Sequence, residues 1–176
     1  MQQRRAVTFT LVFALGVSLA SAGDSHPDRR PTEGVVLATS RLGLESGSGQ
    51  AAFNFARLRD LWVRVTLGGA TNPAQLRTNP IQLNLRLIDP QGMLIFDSRV
   101  AYASDPSVPT MEVPGARPPV AVFQATPLKD GLLALDYALP VSGSVISRSL
   151  SEGTWMLVAE AGGRTFSASI EVRTGY

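Results

Sequence analysis

Side chains that commonly carry catalysis are scarce in this sequence. Cysteine is absent, His26 is the single histidine and Lys129 the only lysine. A Ser-His-Asp relay needs an imidazole on the folded domain. His26 instead lies in a polar stretch with Pro27, Pro31 and several charges, which reads as a leader ahead of the core. A serine–lysine dyad would have to use Lys129, and the Asp130-Gly131 turn signal beside it places that ammonium in solvent. Zinc sites built from cysteine and histidine are unavailable. One metal reading does attach to His26. Cleavage after Gly23 would make Asp24-Ser25-His26 the terminus, and an amine, two amide nitrogens and an imidazole in third place suit square-planar copper or nickel. Cleavage after Ala22 puts the histidine fourth and spoils that set, so His26 is expected to be an exposed leader residue. The expectation is no catalytic residue, no cofactor and no metal.

Other side chains admit binding. Asp89, Asp97, Asp130 and Asp136 could form a calcium cage or an acid–base pair, but Asp89 and Asp130 are each explained by turns that an aspartate caps. No EF-hand spacing of oxygen ligands is present. Trp62 and Trp155 are candidate platforms for stacking a sugar ring, and both are also the kind of residue a sandwich packs in or beside its core. Arg64 and Arg86 lie on the polar faces of two strands and could make one basic sheet face for an anionic envelope polymer or an acidic partner. The alternative is a solvated outer face whose charges discourage edge-to-edge pairing. Trp62, Arg64 and Arg86 are the candidate binding residues.

The elements that position these residues are two strands, Leu61–Leu67 and Ile81–Ile88. In the first, Leu61, Val63, Val65 and Leu67 alternate with Trp62, Arg64 and Thr66. In the second, Ile81, Leu83, Leu85 and Leu87 alternate with Gln82, Asn84 and Arg86. A period of two is the pattern of a half-buried strand, so parity turns Trp62, Arg64 and Arg86 outward.

Further strands are expected over Val35–Leu44, with a break possible near Gly43, around Phe53 and Phe55, and over Met93–Tyr102, Val120–Thr126, Leu132–Leu139, Trp155–Glu160 and Arg164–Val172. Asp89-Pro90-Gln91-Gly92 reads as a type I turn, and Lys129-Asp130-Gly131 as a hairpin. Gly162-Gly163 turns the last hairpin, with Phe166, Ala168, Ile170 and Val172 as its inward row. Five prolines between Asp105 and Pro119 mark a surface connection, and Val145–Leu150 suits either a strand or one helical turn. Short strands with turns between them, and no sustained 3.6-residue pattern, point to an all-β sandwich of about seven to nine strands. An outer-membrane barrel is the weaker architecture, because many strands are near seven residues, aromatics are few and prolines many.

Residues 1–22 read as a cleaved signal peptide: Arg4-Arg5, the uncharged run Ala6–Leu19, then Ala20-Ser21-Ala22. Residues 23–34 follow as a flexible leader and 35–176 as one domain. The expected protein is exported to the periplasm or beyond, with no transmembrane segment in its mature form. Losing Arg4 and Arg5 brings the sixteen basic residues to fourteen, equal to the acidic ones, so net charge gives no attraction to nucleic acid. Without cysteine, no disulfide framework holds the fold, and the core must do so unaided.

The run from Ile81 through Asp89-Pro90-Gln91-Gly92, and the close Glu152-Gly153-Thr154-Trp155-Met156-Leu157-Val158 followed by Phe166–Val172, resembles bacterial immunoglobulin-like modules of the fibronectin type III and macroglobulin-domain type. The likeness spans roughly Leu61 onward. It implies a single antiparallel immunoglobulin-like sandwich that binds, spaces or assembles, with an envelope protein or polymer as partner. The competing expectation is a carbohydrate-binding accessory or hydrolytic enzyme that uses surface tryptophan and aspartates.

Overall fold

The computed structural model describes residues 32–69, 76, 80–103, 121–149 and 151–174. The expected signal peptide, His26 and the proline-rich connection lie outside them.

Ten strands are formed among the described residues: β1 (Gly34–Ala38), β2 (Ala52–Asn54), β3 (Asp60–Leu67), β4 (Ile81–Ile88), β5 (Leu94–Ala103), β6 (Ala121–Gln124), β7 (Thr126–Pro127), β8 (Leu133–Pro140), β9 (Gly153–Ala161) and β10 (Arg164–Arg173). They make two sheets, one ordered β1-β3-β8-β7 and the other β2-β10-β9-β4-β5-β6. Pairing is antiparallel except at two places in the larger sheet, where β2 runs parallel to β10 and β6 parallel to β5. The protein is thus an all-β sandwich.

Alternation accounts for the core between the sheets. Leu61, Val63, Val65 and Leu67 of β3 face Leu83, Leu85 and Leu87 of β4 across one continuous apolar cluster, joined by Leu157, Ile170 and Val172. Each of these buried aliphatic side chains is worth roughly 1.5–3 kcal/mol. The register of β3 on β8 sets Leu61, Val63, Val65 and Leu67 against Leu139, Tyr137, Leu135 and Leu133, so the inward rows coincide.

Turn chemistry fixes the connections. The Asp89 carbonyl accepts from Gly92 N at 3.0 Å, and Asp89 Oδ1 accepts from Gln91 N at 2.9 Å and Met93 N at 2.8 Å. Asp130 and Gly131 have φ of 60° and 70°, the left-handed pair that an Asp-Gly hairpin end requires. Gly153, at φ 128°, opens β9 where an added Cβ would stand 3.2 Å from Pro90.

Three local expectations are corrected. The strand over Val35–Leu44 ends at Ala38, because Ser40 Oγ caps Gly43 N at 3.2 Å and starts helix α1 (Arg41–Glu45). The single strand expected over 120–126 is two: β6 belongs to the larger sheet and β7 to the smaller, with fully buried Ala125 at the crossing. The leader is not free along its whole expected length, since Glu33 pairs with Arg164 at 2.5 Å and Gly34 already pairs with Thr66. Where the sequence admits a strand or one helical turn from Val145 on, residues 145–148 form one helical turn, α2 (Val145–Arg148), capped by Ser144.

Candidate functional site

β3 and β4 belong to different sheets, so Arg64 and Arg86 point out of opposite faces of the sandwich. One basic face built from both arginines is therefore not formed. Each is also neutralised locally. Arg64 Nε and Nη2 donate to Asp136 Oδ1 and Oδ2, both at 2.7 Å, in a two-pronged pair whose side chains are 14% and 16% exposed. Its Nη1 donates to the Leu44 carbonyl of α1 at 3.2 Å. Hydrogen bonding to Asp136 holds the Arg64 guanidinium above its ordinary pKa, against the opposing effect of burial. Arg86 pairs with Glu160 on the neighbouring β9.

The backbone of Asp136 is held from the other sheet as well. Tyr102 on β5 donates its hydroxyl to the Asp136 carbonyl at 2.5 Å, and burial, then the charge of Asp136, pushes that hydroxyl's pKa upward. Ser98 and Tyr137 make a second hydroxyl contact between the sheets at 3.2 Å. Arg64, Asp136 and Tyr102 thus tie α1, β3, β8 and β5 together, which is structural work.

Trp62 turns outward as parity requires and is half-buried, with Ala38 and Ala138 as its cross-strand neighbours beside α1. Trp155 is no platform for a sugar: it is fully buried, edge-on to Phe55 at a ring distance of 5.7 Å, and its Nε1 donates to the Ser151 carbonyl at 2.8 Å. Of the four aspartates, Asp89 is held by its turn and Asp136 by Arg64, while Asp97 lies in the β5 row opposite Arg86. The topology brings none of these candidate residues together around one point.

A shallow recess lies elsewhere. A groove of about 600 Å³ opens on the outer face of the six-stranded sheet, over the start of β4 and the β9–β10 turn. Its lining includes Gln82, Asn84, Glu160, Gly162, Arg164 and Thr165. Register explains the gathering: Asn84 pairs with Glu160, and Glu160 with Thr165, so the three stand in one row across β4, β9 and β10. Gly162 and Gly163, at φ 57° and 73°, make the tight turn that leaves the rim low, with open space where a side chain would rise from Gly163. The charges near the groove are matched, Arg86 to Glu160 and Arg164 to Glu33.

Asn84 Oδ1 is buried there without a hydrogen-bond partner. A buried acceptor left unmade costs about 1–3 kcal/mol. Periodicity predicted that Gln82, Asn84 and Arg86 share a face but could not show that Glu160 and Thr165, about eighty residues away, complete the row. At the far end of the same face, Leu94, Ile88 and Met156 form an apolar row, with Leu94 54% and Met156 45% exposed. A smaller hollow of about 480 Å³ lies near Asn54, Arg57 and Asp60. Among the described residues, no group of three His, Cys, Asp or Glu side chains is placed to hold a metal ion, and no helix is long and apolar enough to cross a membrane.

Fold and register define the class of this protein, a two-sheet β-sandwich. No protein-family profile matches the chain, and no curated protein is significantly similar to it.

Proposed function

We propose that this chain is an exported, non-catalytic module of the immunoglobulin-like kind, working by binding or assembly at the cell envelope, in the periplasm or outside the cell. The observation that carries the reading is how the charged side chains on the outer faces, and Arg164 at the β9–β10 end of the sandwich, are used. Arg64–Asp136, Arg86–Glu160 and Arg164–Glu33 are matched to one another, and Asp89 is committed to its turn, while the amide- and hydroxyl-lined groove stays open to the outside. Carboxylates held this way suit scaffolding more than proton transfer, which needs a group poised to change its charge. The immunoglobulin-like reading is supported by the way the chain exchanges sheets, most directly between β6 and β7. Export rests on Arg4-Arg5, the apolar run after them and Ala20-Ser21-Ala22.

Incubating the purified protein with a panel of envelope glycans, and recovering it from envelope fractions, tests the proposal. Binding or co-purification without turnover is the expected result. Release of new reducing ends would replace the module by an enzyme, and a protein that neither binds glycans nor co-purifies with envelope components would remove the binding reading.

A further inference from the structure

We infer that the groove over β4, β9 and β10 is a binding site for a neutral, polyhydroxylated ligand, a saccharide chain; this rests on the reading of the protein as a binding module and names what it binds. Charge is the first argument. Arg86, Arg99 and Arg164 in and beside the groove are balanced by Asp97, Glu160 and Glu33, and two of the three arginines are already paired with carboxylates. An anion would meet Glu160 and a cation would meet Arg164, so neither gains a net field.

Donor and acceptor chemistry is the second argument. Gln82 and Asn84 are amides and Thr165 is a hydroxyl, and each can both give and take a hydrogen bond. Sugar hydroxyls have the same ambivalence. The unpartnered Asn84 Oδ1 adds a specific demand for a donor. That oxygen is itself closed to solvent, so a ligand hydroxyl reaches it only when the Asn84 side chain turns outward, and the amide then both gives and takes a hydrogen bond.

The floor of the groove decides between a saccharide and a peptide. β4 is paired with β5 along its length and with β9 from Leu83 onward, so in the groove only Ile81 and Gln82 keep an unpaired side, a run too short for an added strand. Polar lining side chains likewise offer few apolar sockets for peptide side chains. With no aromatic platform in the lining, affinity is expected to be weak, with a dissociation constant on the order of 1 mM.

Amide chemical-shift mapping of the purified chain, titrated with cellotetraose, maltotetraose and chitotetraose, tests the site. Shifts should cluster on Asn84, Gly162, Gly163 and Thr165 for at least one neutral probe, and should persist at high salt. Asn84→Ala and Gln82→Ala should each weaken binding by about tenfold, and Ser169→Ala should leave it unchanged. Should Asn84→Ala fail to fold, the exposed Gln82 variant and the map of the unaltered chain decide. Shifts centred on Trp62 would overturn the groove as the site, and groove shifts produced only by acidic sugars or a peptide would overturn the ligand class. Absence of saccharide binding in a chain that still co-purifies with an envelope protein would overturn this inference while the binding-module reading stands.

Discussion

Tyr102 shows how one inward side chain gives a titratable handle on the whole sandwich. Its hydroxyl bonds across to the Asp136 carbonyl, and burial raises its pKa above the ordinary tyrosine value of 10.0. The unfolded chain therefore releases this proton at lower pH than the folded one. Stability contributed by Tyr102 is complete below about pH 10 and is lost as pH rises beyond it, by about 1.4 kcal/mol per pH unit. Urea melts on either side of that pH should show the decline in the native chain and a shallower one in Tyr102→Phe, which also lacks the hydrogen bond. Equal slopes would mean that the hydroxyl is free to ionise in the folded state. The Arg64–Asp136 pair belongs to the same scale. Asp136→Ala should cost about 3–5 kcal/mol because it strands a largely buried guanidinium, whereas the double change Arg64→Met with Asp136→Leu should restore most of that. A double-mutant cycle by urea denaturation measures the difference. None of this was visible in the sequence, where Arg64 is simply a polar residue between two valines. Its partner, its helix carbonyl and the tyrosine below it come from segments that only the fold assembles.

At the scale of elements, legibility followed how local the causing interaction is. β3, β4 and the β9–β10 hairpin could be read because strict alternation and a Gly-Gly turn act within a few residues. The turn at Asp89 was equally readable, since its hydrogen bonds all close within four residues. Residues 120–126 read as one strand in the sequence because alternation reports which residues are apolar and not which sheet receives them. Ala125, fully buried, is where the backbone leaves β5 for β8. Val35–Leu44 failed for a different reason: a serine cap competes with strand propensity, and Gly43 lets α1 come down on Ala38. The groove escaped because its row is built from three strands far apart in sequence. Register itself can be tested on β4. Leu85 is fully buried, so Leu85→Ala should destabilise by about 2–5 kcal/mol. Arg86→Ala removes only a part-exposed ion pair and should cost no more than about 1 kcal/mol. Equal losses in urea would mean that β4 is not held in this register.

At the scale of the whole molecule, neither sheet is a continuous piece of chain. β1, β3, β7 and β8 form one and β2, β4, β5, β6, β9 and β10 the other, so the backbone changes sheet repeatedly. Asp60–Leu67 must wait for Leu133–Pro140, and Leu83–Ile88 for Met156–Ala161, before their ladders close. Pairings across such separations carry loop-closure entropy early and return stability late, which predicts slow folding for the size of the domain. They also predict a single cooperative unit. The apolar cluster contains residues of β3 and β4 alike, and the Tyr102–Asp136 and Ser98–Tyr137 contacts cross between the sheets. Opening one sheet would therefore expose the inner face of the other. Native-state hydrogen exchange should find the amides of Val65 in the smaller sheet and Leu85 in the larger one protected by the same free energy, equal to that of global unfolding. The short outer strands β2 and β6 should exchange at lower cost, since each has neighbours on one side alone. Protection of Val65 falling well below that of Leu85 would mean that the smaller sheet opens by itself, and the sandwich would then be two stacked units in place of one.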